Sequence, residues 1–155
     1  MSSPAERLAA LGLTLPPVTA PVAAYVPAVR TGAYVYVSGQ LPVVDGKLPA
    51  VGKVGAEVSA EDAAGMARTC ALNALAAVAS LTGGLDAVVR IVKVVGFVSS
   101  DPHFTEQAQV INGASELLIE VFGEAGRHAR SAVGMAVLPL DAPVEVELIA
   151  EVRDA

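Results

Sequence analysis

The sequence predicts an α+β fold in which a single mixed β-sheet carries two α-helices packed on one of its faces. Two segments, residues 59–81 and 101–123, repeat apolar side chains at helical spacing. Three others, residues 33–38, 88–95 and 144–150, are rich in β-branched or aromatic residues, as strands are. With 155 residues, of which 54% are hydrophobic, the chain is long enough to bury the core of one domain.

The chain begins with a segment that we separate from the predicted domain. Residues 3–6 (Ser-Pro-Ala-Glu) have the pattern of a capping box with proline at the first helical position. A short helix should begin there and end before Gly12. The proline-rich stretch at residues 16–21 predicts a linker. We therefore divide the chain into an N-terminal extension with a short helix, residues 1–18, and a main domain, residues 19–155.

Two strands and a turn should open the main domain. Residues 24–28 and 33–38 are predicted strands, joined around residues 30–32. The second strand alternates tyrosine with valine, so its tyrosine and valine side chains should lie on opposite faces of the sheet. Asp45 and Gly46 form the dipeptide that is typical of a tight turn.

Capping residues and glycines in the sequence mark where both long helices begin and end. Ser59 should cap the first helix, which runs to Leu81 before two glycines end it. Its apolar stripe comprises Ala63, Met66, Cys70, Ala74, Val78 and Leu81. The second helix should start at Asp101-Pro102 and end at Gly123. Its apolar stripe comprises Phe104, Ala108, Ile111, Ser115, Leu118 and Phe122.

The last two apolar segments suggest a β-hairpin. Residues 126–134 and 144–150 flank a turn that we place within residues 139–143. Residues equidistant from the turn of an antiparallel pair lie opposite each other. Arg130 and Glu145 should therefore lie within a few residues of one register line.

Charge and composition exclude several classes of function. The net charge of −6 repels polyanions and the ten Lys and Arg residues are scattered, so we expect no nucleic-acid binding. The single cysteine, Cys70, excludes an internal disulfide, and the two histidines lack acidic partners at ligand spacing, so we expect no metal. No phosphate-binding or dinucleotide fingerprint is present, and no cofactor is implied.

Location and assembly follow from the same composition. No apolar run reaches the roughly 20 residues that a membrane helix needs, and the N-terminus lacks the pattern of a secretory signal. A cytoplasmic location is therefore expected, with no membrane partner. Charged residues make up only 17% of the chain and the mean hydropathy is +0.57. We expect part of this apolar surface to be buried in a homo-oligomer.

The sequence also resembles the RidA family, which is also called YjgF or endoribonuclease L-PSP. The matching pieces are Tyr25, residues 34–42 (Tyr-Val-Tyr-Val-Ser-Gly-Gln-Leu-Pro), Asn112, Arg130-Ser131, Leu138-Pro139 and residues 144–147 (Val-Glu-Val-Glu). They extend from about residue 20 to residue 150. The resemblance implies a chorismate-mutase-like fold that forms homotrimers. In these trimers the uncovered sheet faces would form a central barrel, with clefts between neighbouring subunits.

The resemblance assigns two catalytic residues. Arg130 would bind the carboxylate of a small 2-imino or 2-enamino acid through two parallel hydrogen bonds; alone, an arginine at a strand edge is more often part of a structural ion pair. Glu145 lies fifteen residues later and matches the family glutamate that holds the hydrolytic water. The plainer alternative is that Glu145 and Glu147 belong to a solvated sheet face.

The resemblance also assigns four substrate-binding residues. Tyr25 matches a tyrosine that closes the cleft, or it lies at a subunit seam. Gly39 would allow the backbone to approach a ligand, or it forms an ordinary turn. Asn112 matches a cleft asparagine although its spacing to the arginine is one residue longer, so helix capping or packing remains an alternative. Ala132 stands where many relatives have cysteine, which changes the cleft floor.

These assignments predict an enzyme that hydrolyses reactive 2-imino and 2-enamino acids to 2-oxo acids and ammonia. The alternative is a non-catalytic regulatory trimer that binds small carboxylic acids. It would need Arg130 but not Glu145, so the glutamate distinguishes the two. Ribonuclease activity is suggested only by the older family label, and both the acidic net charge and the lack of a histidine pair argue against it.

Overall fold

A five-stranded mixed sheet forms the centre of the protein. The computed structural model describes residues 1–21 and 23–154. The strands are β1 (Ala28–Thr31), β2 (Tyr34–Gln40), β3 (Val88–Ser99), β4 (Ala129–Met135) and β5 (Val144–Val152). Their order in the sheet is β1-β2-β5-β3-β4, in which only β3 and β4 are parallel. The predicted α+β class with one mixed sheet is confirmed.

Three α-helices accompany the sheet within the described residues: the two that were predicted to cover it and the predicted short N-terminal helix. They are α1 (Pro4–Ala10), α2 (Ala60–Thr82) and α3 (Gln107–Phe122). The two long helices, α2 and α3, pack against each other and cover one sheet face. Along β5, every second residue from Val144 to Val152 is buried beneath them. The remaining helix, α1, contacts α3 at the edge of this layer.

The first long helix has the boundaries that its sequence predicts. The Ser59 hydroxyl accepts a hydrogen bond from the Asp62 amide at 3.1 Å, and Gly83 ends the helix in the left-handed conformation with φ 78°. The predicted stripe is buried except for Leu81, which is 41% exposed. By length and composition α2 is apolar enough to cross a membrane, but 56% of its most apolar window is buried inside the domain, as expected of a core helix.

The predicted start of α3 at Asp101-Pro102 was wrong. Asp101 instead forms a separate turn: its carboxylate accepts a hydrogen bond from the His103 amide and its carbonyl accepts one from the Phe104 amide, both at 2.9 Å. The helix begins later, at Gln107, and its buried face therefore differs from the predicted stripe. Ala108 and Ser115 lie outside that face. The end of the helix at Gly123 is confirmed.

The first strand was also misplaced. We predicted it at residues 24–28, whereas β1 spans Ala28–Thr31 and pairs with β2 across a two-residue turn at Gly32 and Ala33. Within β2 the predicted alternation is confirmed, because the valines are buried and the tyrosines are exposed. The turn at Asp45 and Gly46 is confirmed as well, and both residues have positive φ.

The predicted hairpin of the last two strands was wrong. After β3, the chain forms α3 and returns as β4, parallel to β3 and at the edge of the sheet. A strand that follows a helical crossover takes this parallel position. Residues 136–143 then carry the chain past β3, and β5 enters between β2 and β3, antiparallel to both. A whole strand therefore separates β4 from β5.

Two glycines set the close approach of α3 to its neighbours. A Cβ atom on Gly113 would lie 1.9 Å from the Ala64 carbonyl oxygen of α2, so these helices meet backbone to backbone. A Cβ atom on Gly96 of β3 would lie 2.4 Å from the Ile111 side chain of α3. No larger residue fits at either position without moving the helix. The position of α3 against β3 and β4 is therefore narrowly defined.

Among the described residues, no helix lies on the second sheet face. Every second residue of the strands points to it, and its exposed apolar side chains include Val29, Tyr34, Tyr36, Val133 and Met135. Within one chain only the face beneath the helices is covered. Burial of the second face in a trimer stays a prediction.

The short helix α1 is built as its capping box predicts. The Ser3 hydroxyl accepts a hydrogen bond from the Glu6 amide at 3.3 Å, and the Glu6 carboxylate accepts one from the Ser3 amide at 2.8 Å. The Ala5 amide donates to the Asp86 carboxylate at 3.1 Å, and Leu8 is buried in the main core at 5% exposure. The extension is therefore packed against the domain that follows it.

We expect Leu8→Ala to lower the free energy of unfolding by about 2–4 kcal/mol, because it removes a core side chain and leaves a cavity. Leu11→Ala is the matched control, since Leu11 is 39% exposed, and it should cost less than about 1 kcal/mol. Urea unfolding at one fixed protein concentration measures both. Equal losses in the two variants would show that α1 is not anchored through Leu8.

Candidate functional site

Arg130 lies on the edge strand β4, and its guanidinium reaches α3. Nη1 donates to the Asn112 side-chain oxygen at 2.8 Å and to the Ser115 hydroxyl oxygen at 3.2 Å. Nη2 donates to the Ala108 carbonyl oxygen at 3.2 Å. An arginine has five N–H donors. The Nε–H and one Nη2–H of Arg130 have no partner among the described residues.

The sequence of α3 explains this arrangement. Ala108, Asn112 and Ser115 are spaced by four and three residues, so they lie on one side of the helix and can contact the same group. The parallel pairing of β4 with β3 then brings Arg130 beside that side of α3, opposite Val94. Asn112 and Arg130, which were both predicted as site residues, thus contact each other in the structure.

His128 completes this cluster, although it was not among the predicted site residues. Its Nδ1 atom lies 2.6 Å from the Gly126 carbonyl oxygen, and its Nε2 atom lies 2.8 Å from the Ser115 hydroxyl oxygen. A carbonyl only accepts, so Nδ1 carries the proton and Nε2 accepts from the hydroxyl. His128 lies one residue before β4 and two before Arg130, and this spacing alone does not show that both side chains contact Ser115 of α3.

The pKa of His128 is lowered chiefly by burial of the imidazole. Its hydrogen bond to Gly126 acts in the opposite direction, and the positive charge of Arg130 lowers the pKa further. The imidazole is therefore neutral near pH 7, which agrees with Nε2 acting as an acceptor.

Glu145 lies on β5, on the sheet face that carries no helix. Its carboxylate occupies the space beside Gly39, where a Cβ atom would lie only 2.0 Å from Oε1. Gly39 belongs to an irregular part of β2, where the register with β5 shifts between Val37 and Gln40. Gly39 thus admits the carboxylate, a role that we had not predicted.

The pKa of Glu145 is raised by burial and, to a smaller extent, by the nearby negative charge of Glu147. Glu145 makes no side-chain hydrogen bond within the described part of the chain. A partly desolvated carboxylate without a donor is a stronger base than one in water.

Tyr25 lies near Gly39, whereas Ala132 lies near Arg130. Tyr25 is exposed, and it lines a small pocket together with Gly39 and Leu140. The Ser38 hydroxyl donates to the Val26 carbonyl at 2.7 Å and thereby fixes the segment that carries Tyr25. Ala132 follows Arg130 by two residues on β4 and packs on the edge of the core.

The predicted site residues therefore form two groups in one chain. We call Arg130, Asn112, Ala132 and their neighbours Ser115 and His128 the arginine half-site. We call Glu145, Gly39 and Tyr25 the glutamate half-site.

One chain does not bring the two half-sites together. Arg130 is in register with Val94 of β3 and through it with Leu148 of β5, three residues beyond Glu145. Two strand spacings and three residues along a strand separate the Cα atoms by roughly 14 Å. The two side chains also point to opposite sheet faces. The expectation that a hairpin would join them was wrong, because β3 lies between their strands.

The remaining polar side chains do not form a metal site. No group of three or more His, Cys, Asp or Glu side chains that could hold a metal ion occurs among residues 1–21 and 23–154. Burial raises the pKa of the Cys70 thiol well above its ordinary value, and Glu145 adds to this effect. A buried thiol of this kind is a weak nucleophile.

Comparison with known proteins identifies the class first and then the family. The order of the sheet and its helix-covered face place the chain among chorismate-mutase-like α+β domains. The family model described as "YjgF/chorismate_mutase-like, putative endoribonuclease" matches residues 5–152. The chain belongs to this YjgF family.

The similar proteins cover nearly all of the chain. Protein TCP17 of Trypanosoma cruzi is 45% identical over 151 residues, which are 97% of this chain and 94% of TCP17. The crystal structure of Atu1372 from Agrobacterium tumefaciens, a protein of unknown function, is 48% identical with a TM-score of 0.89, covering 97% of this chain and 93% of that one. The crystal structure of a Shewanella oneidensis protein described as "a putative endoribonuclease" is 36% identical with a TM-score of 0.94, covering 97% of this chain and 100% of that one.

A fourth structure, E. coli TdcF with bound serine, is 28% identical and covers 90% of this chain and 93% of its own. Its TM-score is 0.60. The chain therefore shares its fold with TdcF but matches the geometry of the Atu1372 and Shewanella proteins more closely.

We expect Glu145→Gln to stabilise the protein at pH 7. Because the folded protein raises the pKa of Glu145, it binds that proton more tightly than the unfolded chain, and stability falls as the pH rises from 4.5 through the raised pKa. Glutamine removes this loss. Its advantage should be complete above the raised pKa and should vanish below pH 4.5.

Urea unfolding between pH 4 and pH 8 measures this difference. Glu116→Gln is the control, because it removes one negative charge from an exposed position of α3. If both variants follow the same pH profile, the environment of Glu145 is not the cause.

Proposed function

We propose that the protein hydrolyses reactive 2-imino and 2-enamino acids to 2-oxo acids and ammonia, at a site formed by two copies of the chain. The observation that carries the proposal is which N–H groups of Arg130 are hydrogen-bonded and which are not. Three of its N–H groups are bound to α3, while the Nε–H and one Nη2–H have no partner among the described residues. Two donors on one planar guanidinium are what a carboxylate needs for a paired grip.

Glu145 is suited to the second role, activation of water. Its partly buried carboxylate has a raised pKa, so it accepts a proton more readily than an ordinary surface glutamate. In the proposed reaction, Glu145 takes a proton from water while the oxygen attacks C2 of the protonated imine. The carbinolamine formed in this way then loses ammonia to give the 2-oxo acid. Glu145 gives its proton to the departing nitrogen and accepts the hydroxyl proton as the carbonyl forms. The released ammonia then takes this proton as ammonium, which restores the carboxylate.

Assembly would bring the half-sites together. In one chain they lie on opposite sheet faces, so an arginine half-site can meet a glutamate half-site only on another copy. The uncovered face carries exposed apolar side chains, Val29, Tyr36 and Val133 among them, and a surface of this kind favours burial against a second subunit. We propose a cyclic homotrimer, in which every pair of neighbours forms one equivalent cleft.

The comparisons support the size and charge of the proposed ligand. TdcF, a structural relative in the same fold class, holds serine in its crystal structure. Serine carries an α-carboxylate next to a nitrogen-bearing carbon, as a 2-imino acid does. A small carboxylate ligand at Arg130 is consistent with this relative.

Binding without turnover is the second candidate. Within one chain the Cα atoms of Glu145 and Arg130 are roughly 14 Å apart, so carboxylate binding at the arginine half-site does not by itself involve the glutamate.

The family description also names endoribonuclease activity. The net charge of −6 disfavours an RNA ligand for this chain. His128 accepts a hydrogen bond from Ser115, which leaves it unsuited to act as a free base.

We expect Arg130→Lys and Glu145→Gln to have different effects. An ammonium cannot reproduce the planar two-bond grip, so Arg130→Lys should weaken binding of pyruvate and 2-oxobutyrate about tenfold or more and slow imine hydrolysis as well. Glu145→Gln should lower turnover by about 10²-fold and change the affinity for 2-oxo acids less than about twofold. Arg127→Lys is the matched control.

Calorimetry measures the affinity, and an amino-acid oxidase that supplies the imine in situ allows hydrolysis to be followed. If the wild type binds 2-oxo acids through Arg130 without accelerating hydrolysis, the protein is a binding protein. If RNA is cleaved and 2-oxo acids do not bind, the proposal fails entirely.

We expect mixed assemblies of the two inactive variants to recover activity. Random exchange of Arg130→Lys and Glu145→Gln subunits should give about a quarter of the clefts both native residues and restore about a quarter of the wild-type rate. Mass spectrometry of the intact assemblies confirms the exchange. Exchange without any recovery would show that the two residues do not share a cleft between subunits.

A further inference from the structure

Arg130 is connected to the backbone of residue 126 by a chain of hydrogen bonds. The Gly126 carbonyl accepts from His128 Nδ1, His128 Nε2 accepts from the Ser115 hydroxyl, and the Ser115 oxygen accepts from Arg130 Nη1. The three distances are 2.6, 2.8 and 3.2 Å. Each group has the donor or acceptor that its neighbour requires. This chain of contacts thus fixes Arg130 from the side opposite its free N–H groups.

We propose that Ser115 and His128 are positioning residues that hold the guanidinium of Arg130 with its free N–H groups turned outward, ready for a ligand carboxylate. The identity of that ligand rests on the proposed function, whereas the positioning itself does not.

The direction of the Ser115 hydroxyl supports this role. A serine hydroxyl inside a helix ordinarily donates back to the carbonyl four residues earlier. Here the hydroxyl contacts the ring of His128 and the guanidinium of Arg130. Ser115 also falls outside the buried face of α3, so a packing role does not explain it.

The position of His128 supports the role as well. Its ring is half-buried between α3 and β4 and is anchored at Nδ1 by the backbone, so Nε2 is held in one place. Asn112 and Ala108 bind the guanidinium from the same helix. Without Ser115 and His128, these two contacts would be left to hold a long and flexible side chain. A loosely held arginine binds a ligand more weakly, because it must be ordered on binding.

The charges around His128 require it to be neutral in this arrangement. Arg130 faces it from β4, and Arg127 precedes it in the chain, paired with Glu124 at 3.1 Å. Arg90 of β3 donates to the Arg127 carbonyl. A charged imidazole would add one more cation to this group and would lose Nε2 as an acceptor. The lowered pKa of His128 is consistent with the neutral form.

The first test needs no ligand. In ¹⁵N NMR spectra at pH 7.5, His128 should carry its proton on Nδ1, with His128→Gln used to assign the signals against those of His103. The Nε–H group of Arg130 should be rigid in the wild type and clearly more mobile in Ser115→Ala. A proton on Nε2 of His128, or equal rigidity of Arg130 in both proteins, would overturn the proposal.

The second test measures binding of 2-oxobutyrate by calorimetry at the same pH. Ser115→Ala and His128→Phe should each weaken binding about tenfold, and the double variant should be no weaker than either, because both act through Arg130. Ser115→Thr keeps the hydroxyl and His128→Gln keeps an acceptor, so both should stay within about threefold of the wild type. Additive losses, or losses in the conservative variants equal to those in the disruptive ones, would contradict the proposal.

The two tests separate this proposal from the proposed function. If the wild type binds neither 2-oxobutyrate nor pyruvate, the proposed function fails, while the NMR measurements still decide whether Ser115 and His128 hold Arg130. If the wild type binds and the NMR signals show a mobile Arg130 in every protein, the positioning proposal fails and the carboxylate site remains.

Discussion

The parallel pairing of β4 with β3 is the constraint on which the rest of the site depends. It follows from the crossover through α3, and it places Arg130 beside the face of α3 that carries Asn112 and Ser115. It also leaves the other edge of β3 free for β5. The glutamate of β5 therefore lies on the far side of β3, and its side chain points away from the helices. One pairing thus determines both what surrounds the arginine and how far the glutamate lies from it.

Local signals in the sequence predicted most elements, whereas pairing between distant strands could not be read from them. Helix ends depend on capping interactions within a single turn, so they can be predicted from neighbouring residues. The structure confirms the predicted ends at Ser59, Gly83 and Gly123. The hairpin failed because alternation shows that a segment is a strand but not which strand lies beside it. In the site, the resemblance led to Arg130 and Asn112. The roles of Ser115 and His128 depend on where α3 meets β4, and no local pattern encodes that meeting.

The two half-sites hold their charges in opposite ways. Within the part of the chain that the structure describes, oxygen acceptors bind three N–H groups of the arginine and leave two free, so its positive charge is stabilised by its surroundings. Among the described residues, the glutamate has neither a hydrogen-bond donor nor a salt-bridge partner, and Gly39 provides only space. A charge held in this way lowers the stability of the folded chain. Such a cost is expected of a residue kept for chemistry, because a donor that stabilised the carboxylate would also make it a weaker base.

The same contrast explains why a site between subunits would suit this chemistry better than one within a single chain. If Arg130 and Glu145 met in one chain, they would form an ion pair, and each would neutralise the group that the other needs for its ligand or its water. Their positions on opposite faces of one sheet prevent that pair from forming during folding. In an assembly, the substrate carboxylate can occupy the free N–H groups of the arginine while the glutamate stays close to C2. Within one chain, the sheet therefore keeps the proposed binding charge of Arg130 apart from the proposed catalytic charge of Glu145.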